Sequence, residues 1–281
     1  MNERADLKAP KDITYRVRRF RPEEDRHPFW QTFHVRWSPG MTVLDGLWQI
    51  KETTDAGLAF RASCRMGVCG SCGMLVNGQP RLACNTQIAE LGSDNVTVAP
   101  LPNFDIVRDL VPDLGSMFDH HTALKPFLIR PDATEQENPR GEYGQTTHEM
   151  EEYLQFSYCI KCGCCMAACP TVATDVLFSG PMPLSQAHRY NADSRDSGLD
   201  ARKDVLAGTQ GPWRCHYAGE CARVCPKGVD PAKAIQWMKR ELMADLLGRR
   251  ARGAPAGLVT APPAAKPRPG IPPAPPRTVG A

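Results

Sequence analysis

No run of 18 or more apolar residues occurs in the 281-residue sequence, so the chain is not expected to span a membrane itself. Residues 1–12 are polar and lack the apolar centre of a secretory leader. Acidic residues are missing from 248–281, which hold six basic ones (Arg249, Arg250, Arg252, Lys266, Arg268 and Arg277). The whole chain is +3, so its first 247 residues carry −3. A mildly acidic body lacks the basic face that nucleic acid requires, and no nucleic-acid partner is expected. Cysteine is what the chain has in excess: twelve, in tight groups. Without a leader these imply a reducing compartment, where such groups bind metal or clusters more often than they form disulfides.

The densest group is Cys159-Ile-Lys-Cys162-Gly-Cys164-Cys165-Met-Ala-Ala-Cys169-Pro170. It contains C-x2-C-x2-C-x3-C-P, the bacterial ferredoxin run, whose first three thiolates hold one cubane and whose fourth reaches to a neighbouring cluster. A partner run is therefore required, and Cys215-His-Tyr-Ala218-Gly-Glu-Cys221-Ala-Arg-Val-Cys225-Pro226 supplies it with Ala218 in the second ligand position. The crossing rule assigns Cys159, Cys162, Cys165 and Cys225 to a [4Fe–4S] cluster. Cys169, Cys215 and Cys221 fall to the other, where the missing thiolate removes the corner iron and leaves [3Fe–4S]. Cys164 is surplus and reads as a small buried hydrophobe beside the cluster.

The first hundred residues carry a different pattern. Ile13, Tyr15 and Val17 alternate with polar residues, as do Phe33, Val35 and Trp37, and both stretches read as half-buried strands. Thr42 and Asp45 form a capping box opening a helix with Val43, Leu47 and Ile50 on its apolar face. Met74–Val76, Asn77-Gly78 and Arg81–Ala83 predict a hairpin with a tight turn, and Val96–Val98 a last strand. Strands with one crossing helix predict a β-grasp ferredoxin domain. Between helix and hairpin lies Cys64-Arg-Met-Gly-Val-Cys69-Gly-Ser-Cys72, with Cys84 beyond, in the plant-type C-x4-C-x2-C…C spacing for [2Fe–2S]. Gly67, Gly70 and Gly73 permit unusual backbone conformations and close N–H approach to sulfur. Four cysteines also suit zinc, and a zinc-stapled interaction protein is the rival from another class. Zinc sites usually use two short knuckles, however, whereas here three thiolates share one Gly-rich loop.

Pro100–Pro112 is expected to join two domains and polar 131–147 to be a surface loop. Helices are predicted over Glu149–Tyr158, Pro183–Tyr190, Leu199–Leu206, and from Asp230-Pro231 through Ile235, Met238, Leu242 and Leu246 to Gly248. The fold class is thus α+β: residues 1–110 a β-grasp plant-type [2Fe–2S] domain, residues 111–247 an α-helical bacterial-ferredoxin-like domain. Residues 248–281, with nine prolines, are a Pro-rich basic tail expected to be disordered. His120, His121 and His148 have no partner at ligand spacing and are expected on the surface.

Residues 12–247 resemble the iron–sulfur subunit of succinate dehydrogenase and quinol:fumarate reductase (respiratory complex II). The motifs that carry the resemblance are Ser63–Gly73, Cys159–Pro170, Asp193-Ser-Arg-Asp196 and Cys215–Asp230. The resemblance implies an oxidoreductase subunit that carries electrons but not the dicarboxylate site. It implies a flavoprotein partner with FAD, a membrane anchor, and a peripheral position on the cytoplasmic face of the bacterial inner membrane. Electrons would pass between flavin, [2Fe–2S], [4Fe–4S], [3Fe–4S] and quinone. The family's quinone pocket lies beside the three-iron cluster, where Pro170, His216, Ala218 and Lys239 are the matching positions. The tryptophan of ubiquinone-type members would fall at Thr174 and is absent. Cys162-Gly163 and Met166-Ala-Ala-Cys169 look closer to the fumarate reductase branch, which points to menaquinone. Fumarate reduction and a soluble ferredoxin-type carrier are the alternatives within redox chemistry.

Overall fold

The computed structural model of the chain describes residues 12–131, 137, 141–249 and 258–259. The polar N-terminus, the middle of the 131–147 loop and most of the tail lie outside the described residues.

Five strands form one mixed sheet: β1 (Asp12–Arg19), β2 (Phe29–Arg36), β3 (Gly73–Val76), β4 (Gln79–Leu82) and β5 (Asn95–Ala99), in the order β2-β1-β5-β3-β4. Only β1 and β5 run parallel, and one helix, α1 (Val43–Thr53), covers the sheet, which is the expected β-grasp arrangement. Ile13, Tyr15, Val17, Phe33 and Val35 face inward against Val43, Leu44, Leu47 and Ile50 of α1, as their periodicity predicts. Thr42 and Asp45 form the capping box. Asn77 and Gly78 take φ values of 46° and 77°, the left-handed pair of a type I′ hairpin between β3 and β4.

Two features of this domain carry no sequence signature. Arg19, the last residue of β1, points into the core with 3 % of its surface exposed. Its Nε donates to Asp109 Oδ1 at 2.9 Å and its Nη1 to Gln31 Oε1 at 2.6 Å and Asp55 Oδ2 at 2.5 Å. A buried guanidinium is tolerable only with its donors met in this way. Asp109 also accepts from the backbone N–H groups of Phe20 and Ala59. The segment 100–112, expected as a plain connector, is therefore a small hairpin (Ile106–Arg108 with Val111–Pro112) fastened to the first domain. Gly46, inside α1, is the second feature. A Cβ there would sit 2.1 Å from Tyr15 Oη, and this close approach lets the Tyr15 hydroxyl reach the carbonyl of Val43 at 3.3 Å.

The second unit is helical. Thr147–Ser157 opens on a Thr146–Glu149 capping box, and Pro181–Asn191 begins two residues earlier than its predicted start. Leu199–Ala207 and Pro231–Leu246 follow, the last capped by Asp230. One further helix, Gly115–Ala123, was not foreseen because only Met117 and His121 of it are buried, too few to mark an apolar face. Phe178, Leu184, Ala187, Leu199, Leu206, Ile235 and Met238 form the main core. Arg202, wholly buried, binds Asp196 of the Asp193–Asp196 motif and the carbonyls of Leu124, Lys125 and Phe127, pinning the chain that enters from the first domain. In the tail, Leu258–Val259 pairs antiparallel with Glu142–Tyr143. Among the described residues no helix is long and apolar enough to cross a membrane.

Gly46→Ala tests the close approach. Helix propensity alone would stabilise the variant by about 1 kcal/mol. Overpacking against Tyr15 is expected to reverse that sign and cost about 1–3 kcal/mol, read as a lower thermal midpoint of the assembled protein. An unchanged or raised midpoint would contradict the packing described.

Candidate functional site: three groups of thiols

The first group is a cradle of backbone dipoles. Gly67 and Gly70 have φ of 69° and 77°, and Arg65 has 56°, so the loop coils with its N–H groups turned inward. Met66, Val68 and Cys69 all donate to Cys64 Sγ, at 3.5, 3.3 and 3.3 Å. Gly67 donates to Cys84 Sγ at 3.2 Å, Cys84 to Cys72 Sγ at 3.4 Å and Cys64 to Cys69 Sγ at 3.5 Å. These donors pull the Cys64 thiol down to about 6, while burial pushes Cys72 up to about 12. The loop is prepared for sulfur that carries negative charge.

The second and third groups are built by one backbone device used twice. Lys161 and Gly163 have φ of 55° and 81°, and the short helix Cys164–Ala167 starts on Gly163. Tyr217 and Gly219 have φ of 60° and 78°, and the short helix Glu220–Arg223 starts on Gly219. Ala218 sits in the second loop where Cys162 sits in the first. The substitution leaves the loop's conformation in place and removes only the thiol.

Cys159, Cys162, Cys165 and Cys225 together line one cavity, with Ile160, Met182 and Val229. Burial pushes Cys159 up to about 11 and raises Cys165 and Cys225, and Cys162 beside them raises all three further. Ser185 joins this wall, and its hydroxyl is buried with no hydrogen-bond partner; it sits mid-helix, with nothing in the sequence to mark it. Cys169, Cys215 and Cys221 line a second cavity beside Phe178 and Ile235, with burial lifting Cys221 to about 12 and raising Cys215. Among the described residues no three or more His, Cys, Asp or Glu side chains converge as the ligands of a single metal ion do. Thiols spread around cavities, anion-favouring N–H groups and an unpartnered hydroxyl form a donor set that suits sulfur-bridged clusters. Cys164 is fully buried, lies outside both cavities and packs on Leu101 and Ala167. It hydrogen-bonds Cys162, lowering that thiol and being raised in return.

Pro170, His216 and Ala218 line the cavity of the third group and are exposed. Lys239 stands outside that lining, yet its Nζ donates to the carbonyl of Cys215 at 2.9 Å. Thr174 is exposed, with its hydroxyl turned back to Pro170 and Thr171. His121, expected on the surface, is instead buried, and burial with Lys161 nearby pushes it down to about 4. Its helix turns that face onto Pro181–Asn191. A cavity of about 790 Å³ is touched by no cysteine; His188, Trp237, Lys239, Arg240 and Met243 line it.

The first and second groups meet backbone to backbone. A Cβ on Gly70 would lie 3.0 Å from both the Ile160 carbonyl and Cys162 Cβ, and one on Gly73 would lie 2.9 Å from the Cys162 carbonyl. These two glycines are needed as much for the domain contact as for the loop.

Comparison with known proteins finds an iron–sulfur domain in each half of the chain. A 2Fe-2S iron-sulfur cluster binding domain matches residues 14–119 and a 4Fe-4S dicluster domain residues 155–229. The fumarate reductase iron-sulfur subunit of Mycobacterium tuberculosis is 47% identical over 227 residues, 81% of this chain and 91% of the relative. That of Escherichia coli is 42% identical, covering 84% and 96%. The succinate dehydrogenase iron-sulfur subunit of Coxiella burnetii is 38% identical, covering 82% and 97%. A chain of the Mycobacterium smegmatis Sdh1 complex in the apo form superposes with a TM-score of 0.72 at 29% identity, over 85% of this chain and 98% of that one.

The cavity geometry predicts opposite outcomes for two adjacent cysteines. Cys164→Ala should keep its full iron content and lose about 1 kcal/mol of stability from the vacated sulfur. Cys162→Ala, which makes this loop match the one carrying Ala218, should lose about one iron per chain from the second group, measured as iron and acid-labile sulfide. Equal iron loss in both variants would mean that Cys164 is a ligand.

Proposed function

The chain belongs to the family of succinate dehydrogenase and fumarate reductase iron–sulfur subunits, and from that premise we propose that it carries electrons between the FAD of a flavoprotein subunit and a membrane quinone. In this reading Cys64, Cys69, Cys72 and Cys84 hold [2Fe–2S]. Cys159, Cys162, Cys165 and Cys225 hold [4Fe–4S], and Cys169, Cys215 and Cys221 hold [3Fe–4S]. The clusters supply one-electron redox chemistry. The chain does the rest. Gly70 and Gly73 admit the second loop against the first. The Cys165–Cys169 stretch ties the second centre to the third. Backbone N–H groups and burial tune the thiolates.

The observation that carries the three-iron assignment is the matched pair of loops with Ala218 at the position of Cys162. We place a quinone pocket at Pro170, His216 and Ala218 because all three stand exposed beside the third group, outside a cavity of about 20 Å³ that has room for little more than a water. Lys239 buttresses it through the Cys215 carbonyl. Val176, Leu177, Trp213 and Tyr217 are large exposed hydrophobics on the same stretches of chain. They suit contact with a membrane anchor, with the subunit peripheral on the cytoplasmic face of the inner membrane. Menaquinone is favoured by the absence of tryptophan at Thr174 and by the fumarate-reductase-like residues around Cys162 and Met166. We take succinate:quinone oxidoreduction as the direction. Quinol:fumarate reduction is the second reading, favoured by the 47% identity to a fumarate reductase subunit against 38% to a succinate dehydrogenase subunit.

The assembled complex should contain about nine irons per chain, with an EPR signal in the oxidised state from the three-iron centre. Zinc without iron would overturn the reading. Assay in both directions with menaquinone and ubiquinone analogues decides direction and quinone. Ala218→Cys should convert the third centre to [4Fe–4S], abolish the oxidised-state signal and lower the centre's potential. Survival of that signal would show the ligand register to be wrong.

A further inference from the structure

The helix Cys164–Ala167 has only four residues and cannot satisfy its own C-terminal carbonyls. It also has an unusual place in the chain. Cys165 stands in the second group of thiols and Cys169 in the third, so Met166, Ala167 and Ala168 are the whole covalent path between them. Two carbonyls of this strut already have a backbone donor, Met166 O from Cys169 N–H and Cys169 O from Ala173 N–H, both at 3.2 Å, and the third, Ala167 O, is met from outside. Asn103 Nδ2 donates to Met166 O at 3.0 Å, Ala167 O at 3.1 Å and Cys169 O at 3.3 Å. Three acceptors around one atom fix the amide's orientation, since its oxygen in that place would face three others. Two hydrogens serve three carbonyls, so one is shared.

We propose that Asn103 is a positioning residue for electron transfer: an amide clamp that holds the Cys165–Cys169 strut, and thereby the second and third centres, in fixed register with the first domain. The inference rests on the cluster assignment proposed above. Three observations support it besides the hydrogen bonds. Asn103 lies in the 100–112 segment, which is fastened to the first domain through Asp109–Arg19 and through Leu110 N–H to the Ala59 carbonyl. Its near neighbour Leu101 is buried against Cys164 and Ala167 of the same short helix. Its backbone is left-handed, φ 66°, a conformation asparagine tolerates better than most residues. Clamp, packing contact and anchor thus belong to one segment.

The test uses the assembled complex with Asn103→Gly and Asn103→Asp. Glycine accepts the positive φ without strain and removes only the amide. Aspartate keeps the shape and turns an acceptor on the three carbonyls. EPR-monitored redox titration should show the potentials of the [4Fe–4S] and [3Fe–4S] centres lowered, further in Asn103→Asp than in Asn103→Gly. The removed N–H dipole, and then the added negative charge, both disfavour the reduced state. The [2Fe–2S] potential should stay put, and the magnetic relaxation coupling between the two C-terminal centres should change. Selective loss of iron from those two centres would equally support the clamp. A lowered thermal midpoint with all three potentials and the coupling unmoved would reduce Asn103 to a structural residue and overturn the inference, as would loss of all three centres alike. If the unaltered complex lacks the three-iron signal, it is the cluster assignment that fails. If that signal is present and Asn103→Gly matches the unaltered protein, it is the clamp.

Discussion

Everything in this protein depends on how closely two loops of different domains can approach. Gly70 and Gly73 of the first loop lie against Ile160 and Cys162 of the second, with no room for even a methyl group. Side chains at either position would separate the loops by their own thickness, and an electron path cannot absorb that. The rest of the interface serves this contact. Arg19 and Asp109 fasten the connecting segment to the sheet, Leu101 packs on the short helix Cys164–Ala167, and Arg223 reaches Gln79 across the junction at 3.1 Å. The two domains are thereby a single conducting body, although each has its own core.

The second constraint is the left-handed backbone. Each cysteine loop of the helical domain needs two residues with positive φ, one of them glycine as the start of a short helix. Lys161 and Tyr217 accept the less favourable of the two positions. The cost is tolerated because each loop turns its donors toward sulfur. Since the conformation is set by the glycine and the surrounding chain, the thiol at the second ligand position can be exchanged for a methyl group without rebuilding the loop. One duplicated structure can then hold two centres of different composition.

Much of this was legible in the sequence. The capping box at Thr42, Asn77-Gly78 and Asp230-Pro231 are local signals, and the elements they mark stand where expected. What escaped depends on partners distant in the chain. Arg19 reads as a surface charge until Asp109, ninety residues on, is placed beside it. Gly46 reads as a weak point in a helix until Tyr15 is laid across it. His121 reads as exposed because its helix has almost no apolar periodicity. Ser185 and Asn103 look like ordinary polar residues until a cavity wall and three carbonyls of one short strut appear opposite them. The segment 100–112 reads as a connector because its prolines mask a hairpin that tertiary bonds, not propensity, maintain.

A thiol is missing from only one run. With the proposed ligand sets, the second centre has four thiolates and the third has three with one iron fewer, so the net charge of the two is alike and their surroundings set the order of potentials. The Lys239 ammonium held against the Cys215 carbonyl favours an added electron at the third group, as its charge lowers the thiol it faces. In the proposed reading Lys239 thus helps to make the end of the path the lowest point for an arriving electron. The exposed His216 stands beside it, where a quinone accepting electrons would also need protons. Reversal of flow needs no change in this chain, only a different pair of potentials at its two ends.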